Sequence, residues 1–244
     1  ELLNEIYFSR LRETEMSLRQ KETELKVLQS QMNPHFFYNF LDTIRGMAMD
    51  KDMDDIARMA SSLGKLLRYN LKNSSPIVTL SEELDICVQY LSIQKFRFED
   101  KLEFSIDVPE WAKRQYIAKF SLQPLVENCI VHGLEPSDKR TEIRITAVKE
   151  KSGVFSVNIT DTGVGIEPLT LARLRRQLGE NKDITGGGEH LGVLNVHQRN
   201  RYLFGGEFGL RIRSEAGRGT EVQLLLPCNE EEFTENLPAG GYAG

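Results

Sequence analysis

The sequence predicts an α+β chain in two parts: an N-terminal antiparallel helical hairpin, followed by a sandwich of helices packed on a sheet. Three observations carry this reading. Apolar residues recur at helical spacing as far as Phe98, the period changes to alternation from Phe104 onward, and a long glycine-bearing stretch separates the strands and helices of the second half.

In the first 32 residues Leu11, Leu18, Leu25 and Met32 repeat every seven positions, the seam of a coiled coil, although its companion positions Tyr7, Thr14, Lys21 and Leu28 are mixed. A second copy of the chain is therefore the expected partner, giving a dimeric four-helix bundle. The helical pattern continues through Phe37, Phe40, Leu41, Ile44 and Ala48 and stops at Asp50-Lys51-Asp52. Met53, Ile56, Ala60, Leu63, Leu67 and Leu71 then predict a second helix ending near Asn73-Ser74-Ser75-Pro76. Thr79-Leu80-Ser81-Glu82 is a capping box, opening a third helix with Leu84, Cys87, Val88, Leu91 and Phe98 on one face.

Strands are expected at Phe104 to Val108, Ile143 to Ala147, Phe155 to Ile159, Leu210 to Ile212 and Val222 to Leu226, with helices over about 120–133 and 192–204. The expected division is a helical domain over 1–99, a sheet domain over 100–228, and a tail over 229–244 that is acidic, then rich in glycine.

The 244 residues carry a net charge of -5 with both signs interspersed, so no basic patch suits nucleic acid. Cys87, Cys129 and Cys228 are far apart and form no metal-spaced cluster, which fits a reducing cytosol. No apolar run is long enough to span a bilayer. The chain opens inside a helical pattern with neither an initiator Met nor a cap. It is thus expected to be the cytoplasmic portion of a longer cell-membrane protein, reaching the membrane through a preceding region.

Three motifs carry chemistry. In Asp161-Thr162-Gly163-Val164-Gly165-Ile166 a carboxylate stands at a strand end, able to accept from an exocyclic amine, and glycines let backbone approach a ligand. In Gln123 to Gly133, Glu127, Asn128 and His132 are expected in one sector of a helix. There Asn128 offers an oxygen ligand for Mg²⁺, Glu127 could polarise a nucleophile, and His132 could hydrogen-bond a phosphate. Thr185 to Val196, holding Gly188, Gly192 and Asn195, is a glycine loop running into a helix, an anion site suited to a triphosphate. It has neither the Walker nor the Rossmann spacing. Gly217-Arg218-Gly219-Thr220 precedes the last strand and could bring the Thr220 hydroxyl to the same pocket.

In this order the Glu-Asn helix, DTGVGI, the glycine loop and the G-x-G-T strand resemble the Bergerat-type ATP-binding fold of the GHKL superfamily. The resemblance implies that Asp161 binds adenine, Gly163 and Gly165 line the base pocket, Asn128 holds Mg²⁺, and 167–191 forms a lid over ATP. Where related kinases often read GxGIGL, this chain reads Gly188-Glu189-His190-Leu191-Gly192-Val193.

Upstream, Gln31, His35, Asn39 and Asp42 form a polar stripe on the first helix, opposite Phe37, Phe40, Leu41 and Ile44, so His35 is expected to face solvent beside a bend at Pro34. A neutral, exposed imidazole is a competent nucleophile. NPHFFYNFL, RYNL and IQKFRFEDKLEF resemble the corresponding segments of LytS/YesM-type sensor histidine kinases. The resemblance spans about 25–227.

It implies that ATP and Mg²⁺ phosphorylate His35, and that the phosphoryl group passes to an aspartate in a response regulator's receiver domain. Phe36 stands where more familiar histidine kinases carry an acidic base, so Glu127 is expected to supply the base and Asn39 to position water for hydrolysis of the phosphorylated regulator. The alternatives are a GHKL-fold ATPase without phosphohistidine, and a degenerate kinase serving as a dimeric nucleotide-binding scaffold.

Overall fold

The protein is described by a computed structural model covering residues 34–71, 75–151, 153–179 and 191–229, with Met16 and Gln20 upstream. The heptad seam, the bend expected at Pro34, Gly188, His190 and the acidic tail lie outside the described residues. The chain divides into two compact units, Glu1–Asn73 and Ser74–Gly244.

In the first unit, α1 (Pro34–Met49) and α2 (Asp54–Leu71) form the expected hairpin. The turn is held by Met53 N–H donating to the Ala48 carbonyl at 2.8 Å. Asp52 takes a left-handed conformation there, with φ 54°. Asp54 and Asp55 open α2, where the helix dipole favours negative charge. Leu41, Ala48, Ala60 and Leu66 are buried between the helices. Phe36, Phe40, Met47, Met53, Ile56 and Leu63 remain exposed, so a single hairpin leaves an apolar surface uncovered.

The second unit begins with a short strand, β1 (Ile77–Thr79), which leads directly into α3 (Leu80–Phe98). The predicted capping box is formed: Thr79 Oγ1 accepts from Glu82 N–H at 3.3 Å, and Glu82 Oε2 accepts from Thr79 N–H at 2.9 Å. Such a cap stabilises by about 1 kcal/mol. β2 (Leu102–Asp107), the one-turn helix α4 (Glu110–Lys113) and β3 (Tyr116–Ala118) follow. β3 pairs antiparallel with β1. Next come α5 (Gln123–Asn128), a π-helical turn (Cys129–Leu134), β4 (Thr141–Lys151), β5 (Val154–Asp161), α6 (Pro168–Gly179), α7 (Leu191–Phe204), β6 (Gly209–Glu215) and β7 (Gly219–Pro227).

The main sheet has the order β2-β4-β5-β7-β6, with β2 parallel to β4 and every other pair antiparallel. Its register places Ile145 opposite Ile159, Ile159 opposite Val222, and Val222 opposite Ile212, so alternation in four strands becomes one apolar row. Leucines and valines of α3, α5, α6 and α7 are buried with that row in one core. On the other face lie Arg144, Val148, Arg211 and Arg213, all exposed.

By packing, α3 goes with the sheet: its Leu84, Cys87 and Leu91 belong to the core of the second unit. The stretch 167–191, expected as a lid, begins with helix α6, whose Leu171, Leu174 and Leu178 are buried. Their i, i+3, i+7 spacing is that of a packed helix face.

Candidate functional site

The site forms where β5 ends against the π-helical turn. Asp161, the last residue of β5, is 7 % exposed. Its Oδ1 accepts from Gly163 N–H at 2.9 Å. Burial pushes its carboxyl above the usual range, and the Gly163 amide, the Cys129 thiol and the Thr220 amide oppose that shift.

Two glycines make the close approach possible. A Cβ on Gly163 would lie 2.4 Å from the Gly133 carbonyl oxygen. Gly165 has φ +69°, and a Cβ there would lie 2.2 Å from the Glu215 carbonyl oxygen.

A cavity of about 240 Å³ opens beside Asp161. Asn128, His132, Asp161, Gly165 and Thr220, all expected from the sequence, line it. Gly163 does not, and acts by packing against Gly133. Gly192 and Asn195 are exposed on α7, which instead turns Val193 to the cavity, and they do not line it. A Cβ on Gly192 would only touch Pro124, at 3.7 Å.

The structure adds residues that the motifs did not single out. Cys129, Gly133 and Ile166 sit inside quoted motifs, whereas Leu174, Ile212 and Val222 lie outside them and, with Ile166, supply apolar walls. An apolar, flat-sided cleft with one buried carboxylate suits a purine whose amine donates to Asp161.

The expectation that Glu127, Asn128 and His132 share one sector is corrected. The backbone widens at Cys129–Leu134, where Glu135 N–H donates to the Ile130 carbonyl, five residues back, at 2.9 Å. Asn128 and His132, about one turn apart, both line the cavity. Glu127, rotated about 100° from Asn128 as a helix neighbour must be, does not.

Glu127 is half-buried and accepts from Gln123 Nε2 at 2.8 Å. It also faces α3: the Tyr90 hydroxyl is pushed up to about 12 by burial first and then by the nearby Glu127 and Glu135 carboxylates. Asn128 Nδ2 is buried without a hydrogen-bond partner, so the amide has unused polar capacity at the cavity.

In the hairpin unit His35 is exposed on α1, as expected. Asn39 Nδ2 lies 3.1 Å from His35 Nδ1. The Phe36 and Phe40 rings stack at 6.2 Å, and Asp42 pairs with Arg45 at 3.4 Å.

An α/β sandwich with a buried carboxylate at a strand end, an amide-bearing turn and an apolar cleft defines a nucleotide-binding domain. Comparison with known proteins makes the class specific. The family model "Histidine kinase" matches residues 23–102, and the model "Histidine kinase-, DNA gyrase B-, and HSP90-like ATPase" matches 119–230. The sensor histidine kinase YesM of Bacillus subtilis is 40 % identical over 211 residues, which is 86 % of this chain and 34 % of YesM. The sensor protein kinase HptS of Staphylococcus aureus is 32 % identical over 226 residues, 93 % of this chain and 42 % of HptS. Among solved structures, the mycobacterial sensor histidine kinase MprB matches with a TM-score of 0.43 at 20 % identity, covering 62 % of this chain and 95 % of that one.

The chain belongs to the histidine kinase family, in its LytS/YesM-type branch, and carries a GHKL-type ATP-binding domain. It spans between a third and a half of the length of these curated relatives. No described helix is long and apolar enough to cross a membrane.

Proposed function

We propose that the chain is the catalytic portion of a two-component sensor kinase that transfers the γ-phosphoryl group of ATP to His35 and then to a receiver-domain aspartate. The observation that carries this reading is the pairing of an exposed imidazole in an NPHFFYNFL helix with a cleft built around Asp161 and Asn128.

In the first step an imidazole nitrogen lone pair attacks the γ-phosphorus, the bond to the β-phosphate oxygen breaks, and ADP leaves. The imidazole proton passes to Glu127, whose orientation is held by Gln123. In the second step a receiver aspartate oxygen displaces the imidazole from phosphorus. In the reverse direction of signalling, Asn39 positions the water that hydrolyses the regulator's acyl phosphate.

The donor set fits Mg²⁺. The described residues hold no cluster of three His, Cys, Asp or Glu that would bind an ion alone. The ion prefers oxygen and keeps waters and phosphate oxygens in its shell, so a single amide oxygen from Asn128 is a sufficient protein ligand. When bound, it would neutralise charge on the phosphates. His132, exposed at the cavity mouth, would hydrogen-bond a phosphate.

The apolar surface left on the hairpin supports a homodimer closed through a four-helix bundle. The full protein is proposed to reach the cell membrane through a region preceding this one, with the kinase portion in the cytoplasm.

The test is incubation with γ-labelled ATP and Mg²⁺. Acid-labile, base-stable label should enter the wild type and be absent from His35→Gln and Asn128→Ala. ATP turnover without label on His35 would favour the plain ATPase reading, and nucleotide binding without either product the scaffold reading.

A further inference from the structure

Four consecutive residues, Lys119 to Leu122, lie between β3 and α5, and their backbone groups are met by side chains from two helices. Glu83 of α3, fully buried, reaches them from one side. Its Oε1 accepts from Phe120 N–H at 2.7 Å, and its Oε2 accepts from Ser121 N–H at 2.9 Å and Leu122 N–H at 2.8 Å. From α7, Arg199 donates to the Lys119 carbonyl at 2.8 Å and the Phe120 carbonyl at 3.4 Å, and Asn200 Nδ2 donates to Ser121 Oγ at 2.9 Å. The Leu122 carbonyl then accepts from Leu125 and Val126 N–H, both at 3.0 Å, so the segment runs without a break into α5.

A buried carboxylate is costly unless its lone pairs are used, and here three amide donors converge on it. Those donors precede the first turn of α5, where helix amides lack partners and the dipole favours negative charge. Phe120 holds φ 62°, a conformation that a phenylalanine adopts only where its surroundings impose it. The two oxygens of Glu83 point the three amides inward and so account for that backbone.

We propose that Glu83 is a positioning residue of the nucleotide site: through the 119–122 segment it fixes the start of α5, and thereby where Asn128 stands, while Arg199 and Asn200 bind α7 to the same segment. This rests on the reading of Asn128 as the Mg²⁺ ligand for its functional consequence, but not for its structural one. Asp161 lies at the end of β5, a different element, and its hold on the purine is independent of Glu83. The proposal therefore separates two parts of the affinity for nucleotide: the Mg²⁺-dependent part requires Glu83, and the Mg²⁺-free part does not.

Glu83→Gln keeps the volume but replaces one oxygen with an amide group that faces N–H donors. Arg199→Lys loosens the same segment from its carbonyl side and serves should Glu83→Gln fail to fold. Binding of a trinitrophenyl ATP analogue is measured with and without Mg²⁺, together with hydrogen exchange of the peptide covering 120–134. For Glu83→Gln we expect at least a tenfold loss of Mg²⁺-dependent affinity, Mg²⁺-free affinity within twofold of wild type, and faster exchange across α5. For Arg199→Lys we expect the same pattern at about threefold.

Wild-type exchange across α5 in both variants would overturn the proposal. So would an equal loss of Mg²⁺-free and Mg²⁺-dependent affinity, which is what a merely structural role produces. Asn128→Ala is the control for the underlying reading: if it keeps wild-type Mg²⁺ dependence, the assignment of Asn128 fails, and the exchange data alone decide the role of Glu83.

Discussion

Asn39 Nδ2 and His35 Nδ1 stand 3.1 Å apart on the exposed face of α1, one helical turn from each other. The contact has two chemical forms. Either the amide donates to Nδ1 and the ring proton sits on Nε2, or the amide is turned over and its carbonyl accepts from Nδ1–H. Only the second leaves the Nε2 lone pair free to attack phosphorus.

Asn39→Asp, whose ionised side chain can only accept, is therefore expected to keep or raise autophosphorylation a fewfold. Asn39→Ala should lower it no more than about tenfold, since an ordinary hydrogen bond is worth about 0.5–1.5 kcal/mol, and should lower dephosphorylation of the regulator much further. Rates of label uptake and release check both.

Glu127→Gln removes the proposed base and keeps the shape. Autophosphorylation is expected to fall by about 10²–10⁴, the usual contribution of a positioned base, with nucleotide affinity within twofold of wild type. Full activity in this variant would exclude Glu127 as the base.

Asp161→Asn tests the buried carboxylate. The folded-state pKa of Asp161 is raised by burial, so its favourable contribution is complete below the ordinary carboxylate range and is lost as pH rises through the raised value. Above the ordinary carboxylate range the burial of Asp161 costs the folded protein stability, whereas a neutral amide oxygen can still accept from Gly163. Thermal melting of Asp161→Asn at pH 7 should thus match or exceed wild type, with the gap closing towards pH 4. Nucleotide affinity should fall about tenfold to a hundredfold, as expected on losing a hydrogen bond to a charged group.

Gly163→Ala should destabilise by about 1–3 kcal/mol, because the added methyl meets backbone at Gly133 instead of a side chain that could move aside. Denaturant midpoints measure it, and an unchanged midpoint would show that the 161–165 turn yields.

His197 provides an acid limb. Its Nδ1 accepts from Leu210 N–H at 3.0 Å. Burial and the Arg201 charge lower its pKa, opposed by the Leu178 backbone. The neutral form is favoured in the fold, so the stability is complete above the ordinary histidine value of about 6.5 and is lost as pH falls through the lowered one. One proton sets the limit, about 1.4 kcal/mol per pH unit. Denaturation between pH 7 and 5 should show stability falling with pH, by no more than that slope, in wild type and a shallower fall in His197→Gln.

Periodicity sufficed for the hairpin, for the capping box at Thr79 and for the strands of the main sheet, because each depends on spacing within a few residues. The pocket residues Asp161, Asn128, His132, Gly165 and Thr220 were legible for a related reason: each sits in a motif whose backbone requirement is local. The short strands β1 and β3 were not legible, since three residues carry no readable period and their pairing joins positions about forty apart in the chain.

By itself, then, the sequence determined the hairpin, α3 and the strands of the main sheet, the family chemistry and an imidazole on a polar helix face, all consequences of which residue follows which. Tertiary structure alone decided that α3 belongs to the sheet unit, that the cavity opens on Asn128 and His132 and not on Glu127, and that Glu83 answers the amides of residues 120–122. These are contacts between distant segments. A buried polar group selects its partner by which donors the packed core brings within reach, and no local pattern records that.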